Sequence, residues 1–251
     1  MTEHKNKSSR PNAGLGKKSK GRSARVSGRN VSTRVRTAKG RKTSSTRWLQ
    51  RQLNDPYVSE AKRLGYRSRA AFKLAELDAQ FHFLKPGGRI IDLGAAPGGW
   101  TQVAVYRTNA DANRRGAVGK VVGMDILSME PIPGAHLIRN DFLDEACPNL
   151  LIDSLGEAAD AVLSDMASPV TGHKATDHIR IMALLEATLE FTYKVLAPNG
   201  SFVGKVFKGG TETALLVSMK KKFRSVRHAK PPASRDESAE TYVIGLGFRR
   251  S

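Results

Sequence analysis

Arg89–Trp100 reads RIIDLGAAPGGW, and this stretch decides the fold. The run Ile90, Ile91 and Leu93 predicts a buried strand that carries one acid, Asp92, and ends in a turn rich in glycine and alanine. Gly94, Gly98 and Gly99 have no Cβ, so the backbone of such a turn can approach a ligand closely. The segment from Trp100, WTQVAVY, then opens a helix whose N-terminus faces that ligand. A tight strand-to-helix turn is also a plain structural device, so what the turn lacks carries weight. There is no Gly-Lys-Ser/Thr ending to hold a triphosphate and its magnesium, and the spacing is not the G-x-G-x-x-G of dinucleotide enzymes. A nucleoside ligand without phosphates remains open, and S-adenosylmethionine is the common one.

Around this motif the 251 residues divide by composition. Residues 1–50 hold fifteen Lys or Arg against one acid, Glu3, with almost no large apolar residue before Trp48. Such a segment cannot bury enough apolar surface to offset its ordering entropy, so it is expected to be a disordered basic tail. It carries +14 of the formal net charge of +19, and residues 51–251 form the single expected domain. Basic tails commonly seek polyanions, with counterion release from nucleic acid as the driving force. A transit peptide is the rival, opposed by Glu3, the glycines and the lack of an amphipathic apolar face. The single Cys147 excludes an internal disulfide and a multi-cysteine metal site, and no metal is expected. No run approaches the ~18 apolar residues of a membrane span. A soluble, cytoplasmic, monomeric protein is expected.

From residue 55 onward, apolar runs alternate with helical patterns. Asp55–Leu64 and Ser68–Phe81 read as helices separated by Gly65, the second with Ala70, Leu74, Leu77 and Phe81 along one face. Strands are predicted at 89–93, 120–125, 135–140, 160–165, 200–206, 225–228 and 241–246, with helices at 100–107, 143–156, 175–196 and 211–223. This alternation implies an α/β fold: a mostly parallel sheet, Rossmann-like, with helices on both faces. Such sheets bind ligands at the carboxyl ends of their strands.

Three further strand runs end in an acid: Asp125 in VVGMD, Asp141 in LIRND and Asp165 in VLSD. One Asp after a strand is commonly a turn residue or helix N-cap. Three on one ligand-binding edge imply more: Asp125 suits the two hydroxyls of a ribose, and Asp141 suits an adenine amino group. Asp92 is expected to orient the turn or to approach the sulfonium side of the ligand.

At this point the sequence resembles the FtsJ-type family of ribose 2'-O-methyltransferases. The likeness runs from about Tyr57 to Gly247 through five blocks in order: RSRAAFKL (67–74), DLGAAPGGW (92–100), SDMA (164–167), GKVF (204–207) and SRDESAETY (234–242). The resemblance implies a seven-stranded S-adenosylmethionine-dependent fold whose last strand is antiparallel. It also implies a catalytic tetrad of Lys73, Asp165, Lys205 and Glu240. Cofactor contacts are implied at positions matching Gly98, Trp100, Asp125, Asp141 and Asp165, with Gly94 and Gly99 in the turn. The substrate it implies is a uridine in large-subunit (23S) ribosomal RNA, on the assembled subunit.

These residue types suit methyl transfer. A ribose hydroxyl is a weak nucleophile that must be oriented and relieved of its proton, and alignment alone supplies much of the barrier reduction. A lysine serves as the base if burial and a neighbouring cation depress its pKa. Lys205, at the end of SFVGK, is assigned that role and Lys73 is the neighbouring cation. Asp165 and Glu240 would hold both ammonium groups, although carboxylates this close oppose the depression a base requires. Lys205 steering a lone pair of the hydroxyl, with the proton lost to solvent, is the other mechanism.

RNA contacts are expected from Arg67, Arg69, Lys208, Arg235 and the tail, with a flipped-out nucleotide near the tetrad. Arg114 and Arg115, in the long connection Thr108–Gly119, are further candidates, although a polar insertion of this kind is commonly a tolerated surface loop. The competing functions are the same chemistry on a transfer RNA or an RNA cap, a haemolysin-like ribosomal RNA methyltransferase, or a non-catalytic ribosome assembly factor.

Overall fold

The structure, a computed structural model, describes residues 42–167, 173–207 and 213–250. The chain forms two compact units, Met1–Gly65 and Tyr66–Ser251. That division falls later than the boundary at residue 50 expected from composition. Most of the basic tail, residues 1–41, lies outside the described residues.

The first unit contributes two helices, α1 (Thr43–Leu53) and α2 (Pro56–Arg63). Helix α1 begins inside the stretch expected to be disordered. Composition averaged over fifty residues hides the last eight, Thr43–Gln50, which begin a helix in which Leu49 and Leu53 stand one turn apart. Helix α2 starts as its sequence dictates: Asp55 caps it by accepting the Tyr57 N–H at 3.0 Å, and Pro56 occupies the first turn.

The second unit runs α3 (Ala70–Phe81), β1 (Arg89–Leu93), α4 (Gly99–Thr108), β2 (Lys120–Asp125), β3 (Ala135–Arg139), α5 (Cys147–Leu155), β4 (Ala159–Ser164), α6 (Lys174–Val195), β5 (Leu196–Phe207), α7 (Thr213–Lys222), β6 (Phe223–Ala229) and β7 (Glu240–Phe248). Seven strands form one sheet in the order β3-β2-β1-β4-β5-β7-β6. All pairs from β3 across to β5 are parallel, and β7 runs antiparallel between β5 and β6. This is the α/β architecture expected from the alternating pattern.

Successive residues of each inner strand feed opposite faces of the sheet. Ile91, Val122, Val162, Phe202 and Val243 join one buried cluster with Leu151, Leu185 and Met219 of α5, α6 and α7. Ile90, Val121, Leu163, Val203 and Ile244 join another with Leu74, Leu77, Trp100 and Val103 of α3 and α4. Burying strands on both faces explains why they read as continuous apolar runs. Chain order reverses between β1 and β4, so the carboxyl ends of β1, β2 and β4 frame a crevice at the switch point.

Candidate active site

The glycine turn after β1 is fixed by the end of β2. Gly94 and Ala95 donate their backbone N–H groups to the Met124 carbonyl at 2.9 and 3.0 Å. Asp125 then ties two loops together: one carboxylate oxygen accepts the Ala96 N–H at 2.9 Å and the other accepts the Leu127 N–H at 2.9 Å. Gly94 adopts φ 72°, and a Cβ there would come within 2.9 Å of Met166 Cα. Gly98, at φ 112°, caps α4 and would place a Cβ 2.7 Å from Ile132. Both positions need glycine for conformation and for space.

Beside this turn lies a cleft of about 510 Å³ lined by Gly94, Ala96, Asp125, Asp141 and Asp165, with apolar walls from Ile126, Leu127, Phe142 and Leu143. Ile126, Leu127 and Leu143 are exposed at its mouth. Among the described residues the lining contains no lysine or arginine. Three carboxylates and apolar walls suit a flat base and a cationic group; they do not suit a phosphate.

The structure sorts the expected cofactor residues. Gly94, Asp125, Asp141 and Asp165 line the cleft. The Asp92, Gly98, Gly99 and Trp100 side chains or Cα positions do not. Asp92 is fully buried beneath the turn, where one oxygen accepts the Thr101 hydroxyl at 2.6 Å and the other has no hydrogen-bond partner. Strand alternation turns it toward α4, where the bond to Thr101 ties β1 to that helix. Burial, reinforced by the charges of Asp165 and Asp125 and opposed by the Thr101 hydrogen bond, pushes its carboxyl up to about 7. Gly99 faces Ser68 and the start of α3. Trp100 is buried, its indole N–H donating to the Ala70 carbonyl at 2.9 Å.

At the other wall of the crevice four distant residues meet. Lys73 Nζ on α3 donates to Glu240 Oε1 at 2.5 Å. Lys205 Nζ on β5 lies 3.2 Å from Asp165 Oδ1 and also donates to the Asp165 carbonyl. These four side chains are between 10% and 19% exposed, so each pair is shielded yet reachable. Topology explains the meeting: Ser164, just before Asp165, pairs with Gly204 on β5, and Lys205 pairs with Tyr242 on β7.

Tyr242 escaped the site expectations because it reads as one more apolar strand residue in ETYVIGL. Its hydroxyl donates to Asp165 Oδ1 at 2.9 Å and stands 3.2 Å from Glu240 Oε1, linking the two ion pairs. Its ring packs 5.5 Å from that of Trp100. Burial, followed by the two carboxylates, holds the phenol far above its ordinary range, so it stays protonated. Ser234 Oγ adds a 3.1 Å hydrogen bond to Glu240 Oε1. Burial would raise the Glu240 carboxyl, but Lys73, Lys205 and Ser234 together leave it below its usual value.

The expected RNA contacts fare differently. Arg67 is a clasp: its guanidinium donates to the carbonyls of Glu130 at 2.6 Å, Pro131 at 2.7 Å and Pro97 at 3.4 Å. Three carbonyls converging on one guanidinium make it an anchor for the loop after β2 instead of an open phosphate ligand. Arg69 donates to the Ala233 carbonyl while Glu76 accepts the Ala233 N–H at 2.7 Å, so together they fix the segment that carries Ser234. Arg235 lies half-buried in that segment, and Lys208 lies outside the described residues. Arg114 folds back over Tyr106, 4.6 Å from its ring centroid.

The sequence model of FtsJ-like methyltransferases matches residues 66–248. The chain belongs to that family. This methyltransferase is 62% identical over 240 residues to ribosomal RNA large subunit methyltransferase E of Paramagnetospirillum magneticum, covering 94% of this chain and 98% of the relative. The enzyme of the same name from Rhodospirillum rubrum is 62% identical over 227 residues, covering 90% of this chain and 85% of its own. Among solved structures, a ribosomal RNA methyltransferase from Plasmodium falciparum superposes with a TM-score of 0.63 at 30% identity, over 73% of this chain and 98% of that one. Family membership implies a methyl donor. No helix among the described residues is long and apolar enough to cross a membrane.

Proposed function

We propose that this methyltransferase moves a methyl group from S-adenosylmethionine to the ribose 2'-hydroxyl of a uridine in large-subunit ribosomal RNA. The observation that carries the reading is the meeting of Lys73, Asp165, Lys205 and Glu240 beside the acidic cleft. The names of relatives at 62% identity support the substrate class.

A bound S-adenosylmethionine would supply a methyl group on a positively charged sulfur, a donor that needs no activation. The residues present fit it: Asp125 and Asp141 offer acceptors for ribose hydroxyls and an adenine amino group, Ile126, Leu127 and Leu143 offer apolar walls, and Asp165 offers negative charge. The protein's work is then to hold the hydroxyl in line and take its proton. Lys205 Nζ has two acceptors from Asp165. Held by those two bonds, it would serve as the base that takes the 2'-hydroxyl proton. Lys73, fixed by Glu240, supplies the neighbouring cation and a donor to the same oxygen. Transfer would exchange the donor's S–CH3 bond for the new O–CH3 bond, leaving a neutral thioether, as the 2'-hydroxyl gives its proton to Lys205.

Labelled methyl transfer to large subunits from a strain lacking this protein tests the reading, with mass mapping of the product. Lys205→Arg keeps charge and donors but cannot accept a proton. Turnover at the wild-type level in that variant would reject the base assignment.

A further inference from the structure

Among the described residues, strand β6 is the outer strand at one end of the sheet, paired on one side only, by β7. Edge strands commonly carry charge to discourage pairing with another chain. This edge carries more than that purpose requires. From Thr213 to Arg235 the chain contains seven Lys or Arg and no Asp or Glu.

The exposed cations converge. Lys220 and Lys221 close α7, Arg224 begins β6, and Arg249 and Arg250 follow β7. Register gathers them at one place: Phe223 pairs with Phe248, and the Arg249 N–H donates to the Lys222 carbonyl at 2.8 Å. Gly247 adopts φ 71°, and a Cβ there would come 3.0 Å from Arg224 Cδ, so the Arg224 stem lies against β7. A helix C-terminus favours the lysines of α7. That preference does not reach Arg224, Arg227, Arg249 or Arg250. On the neighbouring α6, Glu190 is matched by Lys194 at 2.8 Å.

The same strand leads to the catalytic cluster. Ala229, at its other end, pairs with Tyr242, and its carbonyl accepts the Thr241 hydroxyl at 2.9 Å. Exposed Arg227 stands two residues before that end. A seven-residue strand spans ~20 Å. Cations are thus laid from the flank of the active site to the far end of the sheet.

We propose that the outer edge of β6, with the ends of α7 and β7, is a track for RNA phosphates. It receives the backbone of a segment lying beyond the nucleotide held at the tetrad, and reads charge and spacing without reading sequence. This rests on the proposed ribosomal RNA substrate.

The test is a full-length variant carrying Lys220→Ser, Lys221→Ser, Arg224→Ser and Arg227→Ser, none of them at the catalytic cluster. Its KM for large subunits should rise about tenfold, and the slope of log(kcat/KM) against log salt should become shallower by about 3, as expected for four lost phosphate contacts. Turnover at saturation and donor affinity should stay at wild-type values, and Arg224→Lys with Arg227→Lys should retain the wild-type slope. If the fourfold variant melts early, Arg249→Ser with Arg250→Ser asks the same question with a slope change of about 1.5. Unchanged KM and slope in a stably folded variant would overturn the track. So would a loss seen on intact subunits but absent on a protein-free RNA fragment, since the surface would then meet a ribosomal protein. Failure of the wild type to label subunits at all would instead reject the substrate, and is read without any variant.

Discussion

The Tyr242 hydroxyl donates to the Asp165 carboxylate at 2.9 Å from the third residue of a strand whose first residue, Glu240, is the other acid of the site. One phenolic proton therefore stands between two carboxylates, each already engaged by a lysine. The buried phenol acts as a positioning residue, fixing Asp165 and through it Lys205.

Tyr242→Phe keeps the ring against Trp100 and removes only that hydroxyl. Hydrogen bonds to charged groups are worth about 1.5–3 kcal/mol, so turnover should fall about ten- to a hundredfold. Donor affinity measured by calorimetry should stay within about twofold, because Asp125 and Asp141 are untouched. Full turnover in Tyr242→Phe would show that the acids need no such link.

Lys205→Ala should lower turnover by a factor of about a hundred or more, the usual scale for a lost general base, with little change in donor binding. Single-turnover transfer and equilibrium binding measured on one preparation separate the two. A parallel loss of binding would move Lys205 from the catalytic group to the donor cleft.

Asp125→Ala should do the reverse. It removes acceptors from the cleft and also frees the Ala96 and Leu127 N–H groups, so donor affinity should fall first, by about tenfold or more. Turnover at saturating donor should recover most of the wild-type value. Asp125→Asn, which retains one acceptor, should lie between.

Asp92 predicts a pH signature in stability. Its folded carboxyl titrates at about 7, well above the unfolded value, so the native state binds more protons than the unfolded state in between. The proton-linked contribution is fully present below about pH 4 and is lost as pH rises through about 7. Asp92→Asn, which still accepts the Thr101 hydrogen bond, should gain on the wild type by about 1.4 kcal/mol per pH unit across that window and level off above it. Parallel stability curves for the two proteins would refute the buried proton.

Arg67→Ala should lower the melting temperature, since three carbonyl partners are lost, at a cost of about 1–3 kcal/mol. Its KM for RNA, measured well below the melting temperature, should change less than twofold. A large KM effect in a stably folded protein would restore the phosphate role expected from sequence.

Much of this was legible in sequence because burial leaves a chemical trace. Strands covered on both faces need unbroken apolar runs, and each such run from Ile90 to Ile244 became a strand. The acids at strand ends were legible as a set, because three carboxylates that each follow a parallel strand fall on one edge of the sheet, and all three line the cleft. Tyr242 was not, since a strand residue that fills the core and one that also bonds two carboxylates look alike in one dimension. Arg67 shows a related limit: a guanidinium near a helix start reads as a phosphate ligand, and only the path of the loop after β2 reveals that it also has carbonyl partners. The extra length of β5, Leu196–Phe207 against the predicted 200–206, comes from an irregular stretch between the Ala159 and Ala161 pairings that includes Pro198 and Gly200.

The placement of β7 between β5 and β6 has a consequence for assembly. Among the described residues β6 pairs with β7 alone, so β7 is what joins it to the rest of the sheet. Glu240 and Tyr242 lie on β7. The turn at Gly94, the clasp at Asp125 and the cleft between them are complete without that strand. Chemical competence therefore depends on the pairing of β5 with β7, and a molecule lacking that pairing would be a donor receptacle with no means of delivery.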